Sequence, residues 1–212
     1  MMIERDEQSI WQARAALWEL LAFSFRYPDA ELAEVVASGE WAEAAAEIAT
    51  ALELPCTPAG DLASLSSLRA EATRLFVGAP DAVVSPYEGV WRAADDGVQA
   101  LLFVNPHSME VERFMKSCGL GRPEGTNEPL DHVSTECELM QYLASLEAGI
   151  TALPEDTDRT ALPGDSPAAA YEAFLQDHVR IWMPRLAEAV AVESREVFYR
   201  EAAELLNTAV SV

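Results

Sequence analysis

The stretch WQARAALWELLAFSF, Trp11 to Phe25, decides the fold class. Trp11, Ala15, Trp18, Ala22 and Phe25 recur at steps of four, three, four and three, which draws one apolar stripe down a helix. Tyr27-Pro28-Asp29 stops that helix. The same period continues downstream. Short helices are expected over about 29–37 and 40–54, ended by Pro55 and Pro58. Leu62, Leu65, Leu68, Ala72, Leu75 and Phe76 mark a fourth helix, closed near Val77-Gly78. Residues 79–106 are punctuated by Pro80, Pro86, Gly89, Gly97 and Pro106 and read as irregular. Val98–Val104 alone has the character of a short strand. Helices resume over about 107–118 and from Asp131, where Leu139, Leu143 and Leu146 share a face with Val133, Cys137 and Met140 beside them. The last two run over about 167–191, with Pro184 kinking or splitting the first, and 193–209. The expected architecture is all-α, a helical-bundle-like domain of seven or eight helices.

Residues 149–167 (GITALPEDTDRTALPGDSP) form the clearest linker, rich in Pro and Gly and poor in apolar side chains. They divide a helical core, 1–148, from C-terminal helices, 168–212, that pack on it. A linker of this length would let those helices pack instead on a second copy, giving a domain-swapped homodimer. A monomer mass at every concentration in light scattering would contradict the swap.

The charge balance narrows the function. Thirty-six Asp and Glu oppose 14 Lys and Arg, for a net charge of −22. Such a chain repels phosphate backbones, so nucleic-acid binding is excluded, and it repels anionic membrane surfaces. It attracts cationic partners. Hydrophobic residues make up 50% of the 212, enough for a real core. Cys56, Cys118 and Cys137 are scattered without a CxxC pair, which suggests a reducing cytoplasm. No run approaches a transmembrane span, and the charged N-terminus lacks the apolar core of a secretory signal.

Catalytic signatures are sparse: the sequence has no Gly-rich phosphate loop, GxSxG or HExxH. His132 and Glu136 stand at i, i+4 beside Asp131 and Cys137, which are legal metal ligands on one helix face. A metal-dependent hydrolase built on Asp131, His132 and Glu136 is therefore the alternative function. The simpler reading makes Asp131 a helix cap with a histidine beside it. His178 reads as a structural histidine at the edge of the helix packing. The loop GTNEPLDH (125–132) sets Glu128, Asp131 and His132 beside Pro129-Leu130. It is either a solvated acidic turn or a site for a cationic, partly apolar ligand, since paired carboxylate oxygens suit a guanidinium fork. Ser85–Trp91 (SPYEGVW) is either a packed loop or a recognition surface presenting Tyr87 and Glu88.

Taken together, these segments resemble the TorD/DmsD family of cytoplasmic redox-enzyme maturation chaperones. The resemblance runs in order through about residues 10–205. It rests on Thr73-Arg74-Leu75-Phe76-Val77-Gly78, on Pro86-Tyr87-Glu88-Gly89-Val90-Trp91, on Phe114 through Gly119-Leu120, on Glu128-Pro129-Leu130-Asp131-His132 with Glu136 and Glu138 after it, and on Phe174-Leu175, His178, Trp182 and Pro184. One departure is Gly89, where the family pattern has Ser; its lost hydroxyl is expected to loosen the turn. The resemblance implies a non-catalytic, cytoplasmic protein with no cofactor of its own. It implies as partners the twin-arginine signal peptide and the apo catalytic subunit of a molybdopterin oxidoreductase, held from export until the cofactor is inserted. The implied site is Pro129, Asp131 and His132 first, then Pro86, Tyr87 and Glu88. Glu128, Asp131 and Glu88 would meet the arginines, and Leu75, Pro129, Tyr87 and Trp91 the apolar stretch. Protonation of His132 near pH 6.5 would then weaken binding in acid.

Overall fold

Asp29 shows why the chain folds where it does. Its side chain accepts the Leu32 N–H at 2.9 Å and so caps a new helix just after Pro28 has ended the first. A computed structural model describes residues 7–60, 62–78, 82–98, 105–121, 129–154 and 159–211. Among them run α1 (Glu7–Phe25), α2 (Ala30–Ser38), α3 (Glu40–Leu52), α4 (Leu65–Ala72), α5 (Glu88–Asp95), α6 (Pro106–Ser117), α7 (Val133–Glu147), α8 (Pro167–Phe174), α9 (Arg180–Glu193) and α10 (Val197–Ser211). No strand occurs among the described residues; a single antiparallel bridge pairs Tyr87 with His132.

The core is organised on α1 and α7, which pack against each other more extensively than any other pair. α7 buries residues all round, including Val133, Cys137, Leu139, Met140 and Leu143, as a central helix must. α3 and α10 close on α1, α8 on α7, and α9 on α10. Aromatic rings join the layers: Trp41 of α3 meets Phe198 of α10 edge-on at 5.2 Å, and Trp11 of α1 meets Tyr171 of α8 at 5.1 Å. The cap of α8 is Ser166, and Leu162 just before it is buried, so the end of the Pro/Gly-rich stretch is anchored to the core.

Several expectations are corrected. Leu62 is exposed and the fourth helix starts only at Leu65, because Ser64 and Ser67 form a capping box there. Residues 88–95, read as irregular, are helical. Of the expected strand Val98–Val104, only Val98 is described, and it is exposed; 99–104 lie outside the described residues. Pro184 does not split its helix: α9 runs through it. The irregularity falls upstream, in a π-helical turn at Leu175–Val179 that joins α8 to α9. A second π-helical turn, Thr73–Val77, extends α4. Such turns insert a residue into the helical register and redirect the side chains that follow.

Trp18 is fully buried and donates its Nε1–H to the Tyr171 hydroxyl at 2.7 Å, tying α1 to α8. Trp18→Phe leaves that buried hydroxyl without its donor and opens a small void. The expected cost is about 1–3 kcal/mol, read as a lowered midpoint in urea unfolding; an unchanged midpoint would show the bond to be dispensable.

Candidate functional site

Two segments far apart in sequence are sewn together at the site. The Glu88 N–H donates to the Asp131 carbonyl at 3.0 Å, and the Val133 N–H to the Pro86 carbonyl at 2.9 Å. This short antiparallel pairing sets Tyr87 beside His132, their rings edge-on at 5.2 Å. The Asp131 side chain reinforces it. One carboxylate oxygen, Oδ2, accepts the Gly89 N–H at 2.8 Å and the Ser108 hydroxyl at 2.7 Å. Asp131 is therefore not the helix cap expected from the sequence. His132 is, through Nδ1, which accepts the Ser134 N–H at 3.2 Å. Burial raises the Asp131 carboxyl above its ordinary range, and the bonds from Ser108 and Gly89 oppose that rise.

Gly89 is required by its surroundings. A Cβ there would lie 2.8 Å from Ser108 Oγ and 2.9 Å from the Asn105 amide group. Asn105 also donates from Nδ2 to the Gly89 carbonyl at 2.6 Å and caps α6 through Oδ1. The turn is thus tight rather than loosened.

Behind this pairing lies a buried polar cluster. Glu88 is fully buried; it accepts from Arg92 Nη1 at 2.8 Å and lies 2.9 Å from His178 Nδ1. The His178 ring stacks on Phe174 at 4.6 Å, held by the π-helical turn that contains it. Glu136 is also fully buried. Its Oε2 accepts the Trp182 Nε1–H at 3.0 Å, while Oε1 has no donor aimed at it among the described residues. Burial first, and the Glu88 charge second, push the Glu136 carboxyl well above its ordinary value. Both causes favour its protonated form. Glu88 and Asp131 therefore do not form an exposed anionic lip: both are buried, Glu88 against Arg92 and His178 and Asp131 against Gly89 and Ser108.

The open feature is a groove of about 430 Å³ in front of the pairing. Phe25, Tyr27, Phe76 and Val77 form one wall, and Pro86, Tyr87 and His132 the other, with Arg26, Ser134 and Thr135 along the edge. Tyr27 and Val77 are exposed. Phe76 reaches the groove from the π-helical turn and rests against Phe25 and Tyr199. Burial lowers the His132 imidazole to about 4. It is neutral at physiological pH, and since Nδ1 accepts, its proton sits on Nε2 as a donor. The expected protonation near pH 6.5 is corrected accordingly.

Of the residues singled out in the sequence, Pro86, Tyr87 and His132 come together in this groove. Leu75 lies fully buried beneath it. Trp91 points elsewhere, donating to the Ser85 carbonyl at 2.8 Å with the Arg185 guanidinium near its ring. Pro129 is half-buried and does not line the groove, and Glu128 lies outside the described residues. Asp131, His132 and Glu136 turn to separate partners, and no three His, Cys, Asp or Glu side chains converge as a metal centre among the described residues. Sequence reasoning missed Asn105, Ser108 and Arg92; only the Asn105-Pro106 pair carried a signal, that of a cap followed by a first-turn proline. All three cysteines are buried, and burial pushes the Cys56 and Cys118 thiols up to about 11.

The family model described as nitrate reductase delta subunit matches residues 36–188, and the chain belongs to this family of TorD-like redox-enzyme maturation proteins. Among solved structures, a redox enzyme maturation protein from Archaeoglobus fulgidus is similar at 18% identity, with a TM-score of 0.54 over 97% of this chain and 94% of that one. That likeness carries the fold. A comparison with curated proteins gives no match.

Their partners make the two buried glutamates unequal: Glu88 meets Arg92 and His178, and Glu136 the Trp182 N–H. Glu136→Gln keeps an acceptor for Trp182 and removes a carboxyl that burial keeps from ionising readily, so its cost at neutral pH should stay within about 1 kcal/mol. Glu88→Gln leaves Arg92 without its buried carboxylate and should cost about 3–5 kcal/mol. The folded state holds the Glu136 proton that the unfolded chain releases near 4.5. Wild-type stability therefore falls as pH rises above that value, and Glu136→Gln gains on wild type in the same direction. Urea unfolding of both variants across pH checks this; equal losses at the two positions would contradict it.

Proposed function

We propose that this chain binds the twin-arginine signal peptide of a molybdopterin oxidoreductase precursor and holds it back from export until the molybdenum cofactor is inserted. Membership of a family that acts with molybdoenzyme catalytic subunits supports the broad role. The observation that carries the finer reading is that Pro86 and Tyr87 of one family motif and His132 of another line a single aromatic groove. The groove has the character such a leader needs. Phe25, Phe76, Val77 and Tyr87 offer apolar surface to its apolar stretch, which would otherwise expose an aggregation-prone segment. The His132 Nε2–H offers a donor to a peptide carbonyl that burial would leave unpaired.

The binding described is reversible sequestration and breaks no bond. Asp131 acts by holding Tyr87 and His132 in register rather than by touching an arginine. The acidic surface around the groove supplies long-range attraction for a cationic leader, which screening by salt reduces.

Because His132 is neutral above about 4, its charge does not change between about pH 5 and pH 8. Leader affinity should be flat across that interval. Fluorescence anisotropy with a labelled twin-arginine peptide checks it, alongside Tyr87→Ala, which should weaken binding by about tenfold or more. Affinity that collapses below pH 6.5, or a Tyr87→Ala variant that binds as wild type, would contradict this reading.

A further inference from the structure

A second trough of about 540 Å³ lies beside the aromatic groove, along the seam between α1 and α7, walled on its far side by α2 and α3. Arg26 lines both. On α7, Ser134 and Thr135 face the first groove and Glu138 and Gln141 the second, one helical turn further on. On α1, Arg26, Phe23 and Glu19 follow at helical spacing. The two hollows are therefore neighbours that share Arg26 and differ in chemistry.

The second trough has an apolar floor of Leu20, Phe23, Val35 and Ile48, all half-buried against the core. Its charged groups are Glu19, Glu31 and Glu138 against one cation, Arg26. Arg26 is itself committed: Nη2 bonds Asp29 and Glu31 at 3.0 Å each, and the guanidinium lies over Phe23 at 4.3 Å. Glu19 and Glu138 make no hydrogen bond or ion pair among the described residues. Two carboxylates thus stand beside an apolar floor without a hydrogen-bonded partner, Glu138 within reach of the Arg26 charge. Their chemistry complements a guanidinium, whose planar face rests on apolar surface while its edge meets carboxylate oxygens.

Resting on the reading above, we infer that Glu19 and Glu138 receive the paired arginines of the leader, while its apolar stretch fills the groove between Tyr87 and Phe76. Seven helical residues separate Glu19 from Arg26, a span of roughly 10 Å. About three residues of extended peptide cover that distance. A leader whose basic stretch is followed directly by its apolar stretch fits the two neighbouring hollows in this order. The arrangement also gives the site an anionic element that the buried Glu88 and Asp131 do not supply.

The test uses the full chain and two labelled synthetic peptides: a leader with two adjacent arginines ahead of an apolar stretch, and its counterpart with both arginines replaced by glutamine. Wild type should prefer the arginine peptide by about tenfold or more. The Glu19→Gln/Glu138→Gln double variant, altered only at exposed positions, should keep its melting temperature and lose that preference. A control variant, Glu188→Gln/Glu204→Gln, removes the same charge from the separate hollow between α9 and α10 and should retain it. Preference unchanged in the first variant, or lost equally in the control, would overturn the assignment of the arginines while leaving leader binding intact. Binding of neither peptide by wild type would overturn the proposed function and this inference with it.

Discussion

The pairing of Pro86–Glu88 with Asp131–Val133 is the constraint on which the site depends. Two backbone hydrogen bonds fix the register, and the Asp131 carboxylate locks it by reaching the Gly89 N–H and the Ser108 hydroxyl. Without that register Tyr87 and His132 would not share a wall, and the groove would have one side. The pairing also joins the starts of α5 and α7, and through Ser108 and Asn105 it takes in α6. A single aspartate thereby positions three helices, so a substitution there acts on binding through geometry.

The charged residues of the motifs divide by burial into two kinds of work. Glu88 and Glu136 sit in the dry interior, where an unpaired charge is costly. Arg92 and His178 meet Glu88, Trp182 meets Glu136, and burial favours the protonated form of Glu136. They hold α5, α7 and the α8–α9 rod in one arrangement. The carboxylates that line the trough beside the groove, Glu19, Glu31 and Glu138, come from α1, α2 and α7. An acidic chain has many glutamates to place, and only the interior ones must bring partners with them.

Much of the fold was legible because helical period and caps are local. The stripe on α1, the stop at Tyr27-Pro28-Asp29 and the buried face of α7 follow from residues within a turn or two of one another. α5 was hidden: Gly89 near its start and Pro86 before it are turn residues, and the need for glycine comes from Ser108 and Asn105, distant in sequence. The π-helical turns were hidden for a related reason, since an inserted residue breaks the period that reveals a helix. Asp131 and His132 are both cap-capable neighbours, and only the three-dimensional position of Gly89 decides between them. Tyr87 and His132 were legible through their motifs. The burial of Glu88 and Asp131 was not, because a carboxylate in sequence carries no mark of whether donors await it.

Hydrogen–deuterium exchange of the full chain with and without a twin-arginine leader tests the central claim most directly. The account expects slowed exchange at the second half of α1, at Phe76–Val77 and at both paired segments around Tyr87 and His132, protected together. Protection confined to α9 and α10, with the two paired segments exchanging as in the free protein, would contradict it.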